Sequence, residues 1–269
     1  MEAVRGSRMR PIWLALLAYS VAAAAVLGLQ VLAVTLLFAW RAGSLDLERD
    51  GLTVLLVGVP VSSLALIVIA TLAARRPRRL ALRLVPSRLP ARGVAAAVVG
   101  ILALSQVLES LAQLAGVGRG PALDWMIHTL ASAGPVGLLL AVLVVGGLAP
   151  LGEELFFRGY MLAQLREVWS PAPAIVVTAL AFGLIHGEWV HGVLAAGLGL
   201  YLGLLAERAG SVIPAIVCHA ANNTVSVLLS AAIGSPQGRG ANAALLTLAA
   251  LVFAASLVGL RRLAPPPAP

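Results

Sequence analysis

Long apolar runs, broken only by short polar loops, set the pattern of this 269-residue chain. Read in windows of about 19 residues, eight runs stand out. They are Pro11 to Trp40, Leu52 to Ala74, Gly93 to Val117, a run from Pro135 through Pro150 and Leu151 to the charge at Glu153, Ala172 to Trp189, Val190 to Ala206, Ser211 to Ile233, and Ala243 to Leu260. Most approach the roughly 20 residues a helix needs to cross the hydrocarbon of a bilayer, and the sixth is the short one. The pattern predicts an all-α, polytopic integral membrane helix bundle with about eight transmembrane helices, since only helices and closed barrels satisfy their backbone in lipid. No stretch outside the runs reaches the roughly 50 residues at which folded domains begin, so residues 1–269 read as a single membrane domain.

Composition agrees: 60% of residues are apolar and 11% charged, which no water-facing surface sustains over this length. The net charge is +8, and all 19 basic residues are arginine. Arg5, Arg8 and Arg10 precede the first run, seven arginines (Arg75, Arg76, Arg78, Arg79, Arg83, Arg88, Arg92) fill residues 75–92, and Arg261 and Arg262 follow the last. With an even number of spans these fall on one side together with Arg166 and Arg208, while the acidic stretch Leu45 to Asp50 falls on the other. By the positive-inside rule both termini and the 75–92 loop are expected in the cytoplasm. Anionic lipid is then the expected partner of the basic loop, and nucleic acid is not. The first run is longer than the roughly 7 to 15 residues of a signal-peptide core, so it reads as an uncleaved anchor. Cys218 is the single cysteine, which excludes an internal disulfide. Gly118 to Gly134 reads as an outer connection with an interfacial helix, and the proline-rich tail 264–269 as disordered.

Ionisable groups inside spans are costly and mark functional sites by default. Here they are Glu109, then Glu153, Glu154 and Arg158, then His186 and Glu188, and finally His219 beside Asn222 and Asn223. Glu167 and Glu207 flank helices and are expected to be solvated. In GEELFFRGY, Glu154 and Arg158 stand four apart, on one helical face, and can neutralise each other. Glu153 lies about 100° away round the helix with no local cation, free for chemistry. In AFGLIHGEW, Phe182 sits one turn before His186 and can pack on its ring. In CHAANN, His219 and Asn223 repeat the four-residue spacing, so an imidazole and an amide can reach one cavity and donate to a developing oxyanion. Asn222, about 100° from Asn223, reads as an interhelical polar clamp.

A side-chain nucleophile is absent from this set. Cys218 and His219 are adjacent and diverge on a helix, and the serines lack a Gly-x-Ser-x-Gly setting. An activated water, with Glu153 as base, is what the residues leave. A glutamate and two histidines also suit a three-ligand zinc site, although no His-Glu-x-x-His helix is present. If a divalent metal takes part, Glu153, His186 and His219 are its candidate ligands.

The ordered trio Glu-Glu-x-x-x-Arg (Glu153, Glu154, Arg158), Phe-x-x-x-His (Phe182, His186) and His-x-x-x-Asn (His219, Asn223) resembles the CPBP intramembrane proteases, the group that includes type II CAAX prenyl endopeptidases and bacteriocin-processing and immunity-type proteins. The resemblance covers Ala149 to Val227, the expected motif-bearing core. It implies peptide-bond hydrolysis in which Glu153 and His186 activate water, His219 and Asn223 form the oxyanion site, and Glu154, Arg158 and Phe182 support them. Both metallo and metal-free glutamate mechanisms are attached to that family. The metal-free one, with no cofactor, suits asparagine better, since its amide is a poor ligand and a good donor. A non-catalytic scaffold or immunity protein of the same family, and a proton-coupled transporter, are the alternatives, the latter weakened by the lack of an internal repeat. The expected partner is a peptide or protein substrate in or at the membrane. Absence of lysine with abundant alanine and arginine points to a GC-rich bacterial gene, hence a multi-pass protein of the cell membrane.

Overall fold

Many alanines face inward in this molecule and many large apolar side chains face outward. Ala15, Ala22, Ala70, Ala97, Ala174, Ala206 and Ala215 are wholly buried, while Leu72, Val136 and Leu184 are among the most exposed residues. In lipid no hydrophobic force drives helices together, so close approach through small residues holds the bundle.

The computed structural model describes residues 2–41, 43–75, 77–232 and 238–263. The expected tail 264–269 lies outside them. Among the described residues the elements are all helical: α1 (Glu2–Trp40), α2 (Gly51–Ala73), α3 (Arg78–Ala81), α4 (Ala91–Leu114), α5 (Pro121–Ala131), α6 (Pro135–Ala141), α7 (Ala149–Glu154), α8 (Leu162–Arg166), α9 (Pro171–Leu184), α10 (Trp189–Ala209), α11 (Ile213–Ala232) and α12 (Arg239–Leu263). Helices α6, α7 and α8 form one continuous rod, Pro135–Arg166, joined by π-helical turns at Val142–Leu148 and Leu155–Met161. This rod packs against α2 on one side and α11 on the other; α1 pairs with α2, α4 with α12, and α9 with α10.

The eight apolar runs each correspond to a helix, and among the described residues seven helices are long and apolar enough to cross a membrane. The short member is the fifth, α9, at 14 residues, and not the sixth, since α10 runs for 21. The reason lies in Gly187 and Glu188. Gly187 adopts φ +73°, a left-handed conformation that stops the chain after α9. Glu188 then caps α10, its carboxylate accepting from the backbone N–H groups of Val190 (2.8 Å) and His191 (3.0 Å). Those bonds, Val190's first, hold the Glu188 carboxyl below its usual range. The cap is therefore present at neutral pH and lost only as the pH falls through that depressed value. Glu188→Gln is expected to lower the unfolding midpoint at pH 7 and to match the parent in acid; equal midpoints at pH 7 would dismiss the cap.

One loop expectation changes. Glu207, expected to be solvated, is shared by Arg83 (2.6 Å) and Arg166 (2.8 Å). The basic loop is thereby stitched to the α10–α11 turn, with Arg83 O also accepting from Val212 N–H and Val85 O from the Ser211 hydroxyl. Arg75, Arg78, Arg79, Arg88 and Arg92 stay exposed. The Gly118 to Gly134 connection carries the expected helix, α5, held to the α1–α2 loop by a hydrogen bond from Trp125 Nε1 to Leu47 O.

Candidate active site

Glu153 and Glu154 end α7, where the rod passes between α2 and α11. Gly152 makes that passage possible, because a Cβ there would stand 2.7 Å from the Ser63 carbonyl oxygen of α2. Glu154 faces inward and is wholly buried, as is Arg158, and the two pair at 2.7 Å. The π-helical turn between them keeps residues four apart on nearly one face, so the expected pairing forms. Arg158 also donates to Gly199 O of α10 (3.1 Å), and its guanidinium lies 4.5 Å from the centre of the Phe182 ring.

Glu154 is more than a neutraliser. Its Oε1, the same oxygen that meets Arg158, lies 2.9 Å from His219 Nδ1. A carboxylate can only accept, so Nδ1 donates and the other ring nitrogen, Nε2, is left to face Glu153 Oε2 at 3.6 Å, too far for a hydrogen bond. Glu153 itself is partly exposed and makes no hydrogen bond to protein among the described residues.

His186, at the end of α9, places Nδ1 2.7 Å from Phe182 O. That carbonyl accepts, which fixes the ring and leaves Nε2 as its open position. Phe182 stands edge-on to both His186 (centroids 5.0 Å apart) and His219 (5.8 Å), so one aromatic ring braces two imidazoles and the buried guanidinium. Asn223 donates through Nδ2 to Val145 O (3.1 Å). Asn222 is buried and contacts Asn223 Oδ1 at 3.4 Å, with its own Oδ1 unpartnered.

Glu153, His186, His219 and Asn223 all line one cavity of about 740 Å³ inside the bundle. Other polar groups on its wall include Gln30, Ser62, Gln106, Asn222 and His191. The His191 ring packs against His186 with centroids 4.4 Å apart, a contact between neighbouring helices that spacing within either helix does not reveal. Glu109 also lines the cavity and is paired with Arg119 from the loop before α5. Among the described residues, no group of three or more His, Cys, Asp or Glu side chains is disposed to hold a metal ion.

The three motifs thus converge from the rod, α9 and α11 onto a single cavity wall. Residues 135–225 match the family model of type II CAAX prenyl endopeptidase Rce1-like proteins. The Rce1-like stretch begins with the rod and contains every residue of the three motifs. Over 113 residues the chain is also 28% identical to an uncharacterized 24.3 kDa protein of Escherichia coli, covering 40% of this chain and 52% of that protein. The chain therefore spans about half the length of this relative. No solved structure matches. The Rce1-like match supports an intramembrane protease family and agrees with the resemblance carried by the motifs.

Proposed function

We propose that this protein is an intramembrane endopeptidase that hydrolyses a peptide bond with a water activated by Glu153 and His186. The observation that carries the reading is the geometry of His219: Nδ1 is tied to the buried Glu154–Arg158 pair, and Nε2 is turned to Glu153 on the cavity wall, which has no hydrogen bond among the described residues. Glu153 takes a proton from water, and the oxygen attacks the carbonyl carbon of the substrate. Nε2 of His219 and the second Nδ2 hydrogen of Asn223 donate to the oxyanion. The tetrahedral intermediate collapses, the C–N bond breaks, and the proton held by Glu153 passes to the leaving amine. His186 orients the water through Nε2.

The substrate is a peptide or protein segment in or at the membrane. With the arginine bias placing residues 75–92 and both termini in the cytoplasm of a bacterial cell, anionic lipid surrounds the basic loop. Comparing peptide termini in membranes carrying wild-type protein and Glu153→Ala tests the activity. New termini confined to the wild type are expected, and identical sets would sink the reading.

We favour the metal-free form of this chemistry because the Asn223 amide is a poor metal ligand and a good donor. Chelation of the purified protein is expected to leave cleavage unchanged. Loss of activity on chelation, restored by zinc, would replace that form with a metal site at Glu153, His186 and His219.

A further inference from the structure

We infer that Pro150 is a positioning residue for Asn223: by withholding a backbone N–H it frees the Val145 carbonyl, which then fixes the orientation of the Asn223 amide. This rests on the peptidase reading for its consequence, though not for its geometry. In the π-helical turn Val142–Leu148 each N–H reaches back five residues, as Ala149 N–H does to Val144 O. The next N–H in that register would come from residue 150 and would take Val145 O. Residue 150 is proline and has none. The carbonyl of a buried valine is thus left without a helical donor, a state that costs free energy unless another group fills it. Asn223 Nδ2 fills it, at 3.1 Å from α11.

Two neighbours make the bond possible. Gly146 lets α11 approach, since a Cβ there would stand 3.3 Å from the Thr224 Cα beside Asn223. Asn222 Nδ2 faces Asn223 Oδ1 at 3.4 Å, on the acceptor side of the amide. With Oδ1 turned that way and one Nδ2 hydrogen spent on Val145 O, the second Nδ2 hydrogen is the donor left for the cavity that Asn223 lines. A proline three residues before Glu153 therefore links the segment bearing the base to the amide proposed for the oxyanion, without touching substrate.

A four-variant cycle on the full chain in detergent tests this. Asn223→Ala is expected to lower the thermal midpoint by a few degrees in the Pro150 protein, where it orphans a buried carbonyl. In the Pro150→Ala background, where the restored N–H takes that carbonyl, it should lower the midpoint little. On the peptide whose cleavage depends on Glu153, Pro150→Ala is expected to reduce kcat at least about tenfold with KM near the parent's, and to add nothing to Asn223→Ala. Midpoint losses that simply add, or an unchanged kcat in Pro150→Ala, would overturn the inference and leave the peptidase reading intact. If no cleavage depends on Glu153, the peptidase reading fails, and the midpoint cycle still decides the hydrogen bond.

Discussion

Glu153→Gln should fold as the parent does and cleave the Glu153-dependent peptide more slowly by about 10²- to 10⁴-fold, the range a positioned general base supplies. Glutamine keeps the size and most of the polarity of the side chain but cannot take a proton from water. The loss should fall on kcat and leave KM close to the parent's, because Glu153 is not required to hold the substrate in the ground state. Its neighbour offers a contrast. Glu154→Gln also lowers kcat, through a different route, since an amide at that position no longer gives Arg158 and His219 one shared anionic oxygen. Steady-state kinetics in detergent would separate the two, with thermal unfolding showing a lower midpoint for Glu154→Gln and a parental one for Glu153→Gln. A Glu153→Gln enzyme of parental kcat would remove Glu153 from the chemistry.

Arg158→Leu carries the largest expected effect on stability. Both partners of the Glu154–Arg158 pair are fully buried, and removing one partner of such a pair costs about 3–5 kcal/mol because the other is left uncompensated in a low-dielectric interior. His219 remains beside Glu154 and offsets part of that cost. The arginine also braces Phe182 and donates to Gly199 O, so its loss loosens α9 and α10 together. Lysine is a poor substitute, since a point charge cannot serve a carboxylate, a carbonyl and an aromatic face at once. Replacing both partners, Glu154→Met with Arg158→Leu, should recover much of the stability and none of the activity, because His219 Nδ1 then has no acceptor. Unfolding midpoints for the single and double variants check both statements. An Arg158→Leu protein as stable as the parent would show that the pair does not hold the core.

Much of this was legible in the chain itself. Eight apolar runs gave the helices, because the thickness of a bilayer fixes how long an apolar stretch must be. The four-residue spacing of Glu154 and Arg158, of Phe182 and His186, and of His219 and Asn223 gave the shared faces, because helical periodicity is a local property. The break between α9 and α10 was misplaced, with Glu188 read inside the fifth run, because hydropathy averages over the left-handed Gly187 that ends the helix. Contacts between helices were not legible. That Glu154 belongs to His219 as much as to Arg158, that the His191 ring meets His186 edge-on across the turn into α10, and that Glu207 is shared by two arginines are facts of packing between different elements. The π-helical turns are of the same kind: Pro150 announces a missing donor, yet only the close approach of α11 over Gly146 supplies its replacement. Hydropathy and periodicity determine which segments become helices and which face of each is polar. Which faces meet is decided by how small residues let those helices pack, and that is settled only in three dimensions.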